Sequence, residues 1–112
     1  MLKVMFFIKR RAELIQGQIR EHYETVHVPL SFEHLPLMRK HARNYVHRRK
    51  GAPEPDYDCV TECWFDDWDA LKTTSALIAT EKKELIAEDE ARFMDRSSIR
   101  SIIVEEQVST PA

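Results

Sequence analysis

A chain of 112 residues, 43% of them hydrophobic, is long enough for one domain with one ordinary core and too short for two. Seventeen basic against nineteen acidic side chains leave a formal charge of −2, which excludes a global electrostatic footprint for nucleic acid. The one locally basic run, Arg39, Lys40, Arg43, Arg48, Arg49 and Lys50, reads as a solvated strand edge and turn, because acidic residues dominate the half that follows.

The opening MLKVMFFIKRR is apolar for fewer than the roughly 20 residues that a membrane span needs, and its charges flank the apolar run on both sides. It reads as a strand, not a signal peptide, and no membrane partner is expected. Within Leu2 to Lys9, Leu2, Val4, Phe6 and Ile8 share one face while Met5 and Phe7 partly fill the other, so the strand calls for cover on both faces. From Ala12 to Val26 the period changes. Leu14, Ile15, Ile19, Tyr23, Val26 and Leu30 recur at three- and four-residue steps, which is one helical stripe. Pro29 cannot donate to the preceding turn and is predicted to end or kink this helix, leaving Ser31 to Pro36 as a short connection or an extra turn.

Lys40 to Arg48 reads as a second strand with His41, Arg43, Tyr45 and His47 on one face. Gly51 to Asp58, with two prolines, is a loop. Cys59 to Phe65 is a third strand, with Cys59, Thr61, Cys63 and Phe65 alternating against Val60, Glu62 and Trp64. Along a strand the two thiols stand about 13 Å apart, too far for a bridge, and with no further pair they point to a reducing, cytoplasmic setting. Asp66 or Asp67 caps a helix carrying Trp68, Leu71, Leu77 and Ile78, interrupted near Thr80 and resumed from Lys82 to Phe93. Ser98 to Glu105 forms the fourth strand, and residues 107–112 are expected to be a disordered tail behind a single domain, 1–106.

Strand, helix, strand, repeated once, is the order of the ferredoxin-like split βαβ fold: α+β, a four-stranded antiparallel sheet with both helices on one face. The bare face, carrying apolar residues, calls for a second copy of the chain, so a homodimer with two sheets packed face to face is expected.

All five histidines, His22, His27, His34, His41 and His47, fall between Glu21 and Arg49. Imidazole titrates near neutral pH, so the cluster suits proton transfer, metal binding or a histidine-rich surface. A helix-borne metal pair is disfavoured by spacing: His22 and His27 are five apart, well over 100° around an α-helix. His41 and His47 lie roughly 20 Å apart along a strand. No metal is therefore expected. His22 and His34 read as surface groups, and His27, at the helix end, suits the C-terminal dipole. Cys63, if buried, is an inert small hydrophobe unless a positive group lowers its pKa. Trp64, Trp68, Phe65 and Phe93 read first as core.

Residues 19–30, Ile-Arg-Glu-His-Tyr-Glu-Thr-Val-His-Val-Pro-Leu, resemble the EthD family pattern of an aromatic-bearing helix closed by histidine, a β-branched residue, proline and leucine. Further matches are Leu35-Pro36 with the basic run and Asn44 to Val46, then Thr61 to Phe65, then Ala87 to Asp95, so the likeness spans nearly the whole chain. It implies a dimeric α+β barrel with a pocket between sheet and helices in each subunit. It also implies small-molecule chemistry without a cofactor: isomerisation in aromatic catabolism, decarboxylation, ring closure of polyketides, or oxygenation.

By similarity to a cofactor-free isomerase of the family, His27 and Cys63 become pocket residues. Where that enzyme carries a pocket tyrosine this chain has His41, and the loop at 51–58 lacks its second histidine. The resulting expectation is an acid–base enzyme with His27 as general base or acid, His41 as its complement at a developing charge, and Cys63 as the third reactive group. Tyr23, Tyr45, Phe65 and Phe6 are expected to contact the substrate. The alternatives are a passive carrier of an apolar metabolite and a haem-dependent oxygenase of the same shape.

Overall fold

The computed structural model describes residues 1–112. Its elements run β1 (Leu2–Ile8), α1 (Gln16–His22), a π-helical turn (Tyr23–His27), α2 (Val28–His34), β2 (Lys40–Tyr45), β3 (Cys59–Phe65), α3 (Trp68–Ala79), α4 (Lys83–Phe93), a 3₁₀ turn (Arg96–Ser98) and β4 (Arg100–Val104). The sheet order is β2-β3-β1-β4 with every pair antiparallel, which is the ferredoxin-like arrangement in an α+β fold. No helix is long and apolar enough to cross a membrane.

Three local features decide where side chains end up. The first helix starts at Gln16 rather than Ala12, because the Gln18 side chain reaches back to accept from Ile15 N at 2.9 Å and closes the first turn there. It then continues past Pro29 to His34. Val28 N–H bonds Tyr23 O, five residues back, so the turn immediately ahead of Pro29 is widened. A widened turn is one of the ways a helical run accommodates a residue that has no N–H and whose ring would clash with a regular turn. The proline therefore kinks the register of the run instead of ending it, and Ser31 to His34 is helix.

The remaining elements follow their periods. Asp67 caps α3, its carboxylate accepting from Ala70 N at 2.8 Å, and the break at Thr80 separates α3 from α4. β2 ends at Tyr45, so His47 lies outside the strand and is exposed. No helix or strand follows Val104, though Glu106 folds back to Lys3 at 2.5 Å.

One face of the sheet is covered by the helices and the other is open. On the covered face, Val4, Cys63, Phe65, Leu35, Met38 and Leu71 form one buried group, and Ile8, Ile19, Tyr23, Cys59, Phe93 and Met94 form another; Phe6 packs against both. On the open face, Lys3 is held over the Trp64 ring by Glu62 and Glu106, and Lys40 also lies over that ring. Trp64 is thus half-covered by cations rather than buried in the core, and Trp68 is 51% exposed at the start of α3. Phe65 and Phe93 are core as expected.

Phe93 has no exposed surface and its ring packs 5.0–5.1 Å from those of His22, Tyr23 and His27. Phe93→Ala is expected to cost about 3–5 kcal/mol, read as a lower urea midpoint at fixed protein concentration; a loss below about 1 kcal/mol would mean that this ring does not tie α4 to the first helical run.

Candidate active site

A cavity of about 90 Å³ lies between sheet and helices, lined mainly by apolar side chains, with His27, His41, Tyr23, Cys63, three hydroxyl side chains and Glu90, which is paired with Arg96, as its polar groups. The structure thus brings together six of the seven site residues expected from sequence, namely His27, His41, Cys63, Tyr23, Phe6 and Phe65. Tyr45 does not reach the cavity. Its ring packs edge-on behind that of Tyr23 at 6.5 Å, under the Arg20 guanidinium, and its hydroxyl donates to Glu24 Oε2 at 2.5 Å. Tyr45 therefore packs behind the cavity wall instead of lining it.

His27 is delivered by the π-helical turn and is 5% exposed. Its Nδ1 lies 2.7 Å from Asp89 Oδ2, and the other oxygen of that carboxylate lies 2.9 Å from His22 Nε2 and 3.1 Å from Arg92 Nη1. Asp89 is 1% exposed and sits on the inner stripe of α4 with Ile86 and Phe93. Its carboxyl is pushed up by burial but held, on balance, below the ordinary aspartate range by the bonds from His27, His22 and Arg92. An ionised carboxylate can only accept, so Nδ1 of His27 donates and its neutral form carries the lone pair on Nε2.

Nε2 of His27 has no protein partner, yet every fully buried side-chain nitrogen and oxygen is satisfied, so this atom is accessible and faces the cavity. The carboxylate–histidine pair therefore presents a basic nitrogen to an apolar chamber.

The five-residue step from His22 to His27 is where the sequence argument on spacing fails. An α-helix would separate them widely, but a turn bonded at five residues sets them nearly above one another, and both reach Asp89. His22 is accordingly half-buried and paired, not a free surface group. His27 is likewise not at a helix end: it lies mid-run, which removes the C-terminal dipole as its stabiliser.

His41 comes from β2, opposite Cys63 on β3. Its ring and that of His27 both make edge contacts to Tyr23, at 5.7 and 5.5 Å. Burial pushes the His41 pKa down to about 4, helped by the charges of Arg43 and His27 and opposed by Glu24. His41 is thus neutral at physiological pH. Arg43 Nη1 lies 3.2 Å from His41 Nδ1 and donates to His41 O at 2.6 Å.

Burial pushes the Cys63 thiol up to about 12, with Arg43 lowering it slightly. It faces the cavity as a protonated thiol. Tyr23, likewise raised well above the phenol range by burial, bonds Thr61 Oγ1 through its hydroxyl at 2.7 Å.

A larger groove of about 760 Å³ opens around Lys9, Arg10, Arg11, Arg48 and Asp58. Its buried carboxylate, Asp58, is already taken by Arg10 N at 2.7 Å, Arg10 Nη1 at 2.6 Å and the Arg48 guanidinium. These charges satisfy one another across an open surface, whereas the smaller chamber combines burial with an unpaired base.

Asp89 falls within the Ala87 to Asp95 match without being singled out there, and a charge inside the Ile86, Asp89, Phe93 stripe, at steps of three and four, was the available signal. In sequence Thr61 reads as a strand residue and as the start of the Thr61 to Phe65 match, with no role in the pocket.

Residues 12–97 match the EthD domain, and the chain belongs to the EthD family. No match is found among curated proteins. Among solved structures it is similar to an EthD family protein of Bacillus halodurans, with a TM-score of 0.69 and 20% identity over 96% of this chain and 100% of that one. It is also similar to a dimeric ferredoxin-like protein of unknown function from Bacteroides fragilis, with a TM-score of 0.61 and 13% identity over 94% and 95%. SnoaB, a cofactor-independent oxygenase from Streptomyces nogalater, gives 0.62 and 11% over 99% and 97%. At these identities the likeness is one of fold.

A group whose folded pKa lies below its unfolded value, about 3.9 for aspartate, adds stability above that value and loses it as the pH falls through the folded one. Asp89→Asn is therefore expected to cost about 1.5–3 kcal/mol at pH 7 and progressively less below about pH 4, followed by urea unfolding of both proteins from pH 7 to 3. A difference that stays constant across the range would mean that Asp89 is not ionised in the folded protein.

Proposed function

We propose that this protein is a homodimeric, cofactor-independent acid–base enzyme acting on a small aromatic, lactone or polyketide-like substrate. The observation that carries this reading is the pairing of buried Asp89 with His27, whose free Nε2 faces an apolar cavity beside a neutral His41. His27 removes a proton next to a carbonyl or on a phenol, Asp89 steadies the imidazolium that results, and His41 stands beside the oxygen on which negative charge develops. Of isomerisation, decarboxylation and ring closure, this arrangement favours the first and last, because both begin with loss of a proton to a base. Cys63 and Tyr23, held protonated, line the chamber rather than act as nucleophiles. The fold shared with a cofactor-independent oxygenase supports chemistry without a bound group.

The cavity is small beside the few hundred Å³ usual for ligand sites. This restricts the substrate to a compact molecule. A porphyrin does not enter without parting the helices from the sheet, so the haem reading loses support.

The open sheet face, with Met5, Phe7, Val60 and the half-exposed Ile102, supports pairing with a second copy. Sedimentation is expected to give twice the chain mass, and Ile102→Glu to shift it toward the monomer; a wild-type monomer at micromolar concentration would remove the dimer.

The catalytic reading is tested by incubating the protein in deuterium oxide with a panel of compact enolisable ketones, lactones and phenols. Deuterium incorporation at the acidic carbon is expected for at least one class, with His27→Ala slower by roughly 10² or more while circular dichroism stays native. A passive carrier would bind members of the panel and exchange none. Because His41 is already neutral above about 4, its titration is expected to leave no descending limb in the rate between pH 5 and 8. A bell centred in that range would contradict the assigned state of His41.

A further inference from the structure

Arg43 stands two residues beyond His41 on the same face of β2, and its guanidinium is held from both sides. Nε and Nη2 grip the two oxygens of Glu24 at 2.7 Å each, and the Tyr45 hydroxyl bonds the same carboxylate. The Arg43 bonds hold the Glu24 carboxyl down at about 2, against burial and with help from Tyr45, so the clamp is an ionised pair throughout the physiological range. The remaining nitrogen, Nη1, turns back to His41 O and His41 Nδ1.

A guanidinium has only donors and does not deprotonate in proteins, so an atom that bonds to it must accept. Nδ1 of His41 therefore carries a lone pair, and the proton of the neutral ring resides on Nε2. This is the opposite of His27, where the Asp89 carboxylate requires a proton on Nδ1.

We propose that Arg43, clamped by Glu24 and Tyr45, is a positioning residue that holds His41 as the Nε2–H tautomer, so that the cavity receives a fixed donor from His41 and a fixed acceptor from His27. The catalytic meaning of this arrangement rests on the acid–base reading above; the tautomers themselves do not. Two free imidazoles in one chamber would exchange roles, each a mixture of tautomers. Here a carboxylate behind one ring and a guanidinium behind the other break that symmetry and give the pair a direction. A proton leaves the substrate toward His27, and the electron pair left behind moves to an oxygen that His41 can bond without first acquiring a charge.

The groups facing His41 agree with this state. Arg43 on its own strand and His27 on the helical run both disfavour an imidazolium, Cys63 on the partner strand and Tyr23 are protonated, and Glu24 opposes them but is spent on Arg43. Protonating Nδ1 would set an N–H against the guanidinium and drive Arg43 off its ring.

The test is a long-range proton–nitrogen correlation spectrum of the ligand-free protein, labelled with nitrogen-15 histidine and assigned through His27→Gln and His41→Gln. From pH 5.5 to 8, His41 is expected to show a bare Nδ1 and a protonated Nε2, and His27, once neutral, the reverse. A His41 protonated on Nδ1, on both nitrogens, or as a mixture would overturn the proposal. In Arg43→Met the His41 signals are expected to move to a mixture of tautomers and its titration to rise toward the ordinary range. Should that variant not fold, Arg43→Lys carries the same test, since an ammonium cannot fork across Glu24 and His41 together, and an unmixed Nε2–H signal there would remove the guanidinium from its role. Failure of deuterium exchange with these tautomers intact would sink the acid–base function alone, whereas exchange that depends on His27 with a different His41 tautomer would sink this proposal alone.

Discussion

The Asp89 carboxylate is almost wholly removed from water, and it accepts from two imidazoles of the first helical run and a guanidinium of α4. An ionised carboxylate in such a place is costly unless every lone pair is used, and removing one donor leaves an uncompensated charge. The docking of α4 on the first helical run is therefore tied to the ionisation of one side chain. That same bond sets the tautomer of His27, and the tautomer decides that a lone pair rather than an N–H meets the cavity. Stability and candidate chemistry rest on the same oxygen atoms.

The widened turn at Tyr23–His27 is what makes this convergence possible. Without it, His22 and His27 would point to different sides of the run, and Asp89 could serve only one of them. The turn also sets Tyr23 so that its ring touches both imidazoles and Phe93. Pro29 then falls immediately after the irregular turn, within the first turn of α2. A helix irregularity of this kind at a candidate site agrees with the general association of single π turns with function.

Much of this was legible in the sequence. Period-two runs located all four strands, a cap at Asp66 or Asp67 and the Thr80 break located the later helices, and alternation put Cys63 and Phe65 together on the face of β3 that proves to be inward. His27 and His41 also came out as neighbours of one chamber. What escaped has a common cause. Periodicity assumes ideal elements, so it could not see that Pro29 would be preceded by a π turn rather than by a helix end, and the angular argument separating His22 from His27 failed with it. Alternation on β2 placed Tyr45 beside His41 but says nothing of depth, and Tyr45 proved to lie behind Tyr23. A lone aspartate among acidic neighbours on α4 looks solvated until its stripe is drawn through Ile86 and Phe93.

The central claim is that a substrate's acidic carbon lies against His27 and its oxygen against His41. A crystal structure with a bound enolate or phenolate mimic tests it most directly. The oxygen should lie about 2.7–3.1 Å from His41 Nε2, with the adjacent carbon turned toward His27 Nε2. A mimic seated instead in the groove around Arg10 and Arg48, or with its oxygen turned away from His41, would contradict it.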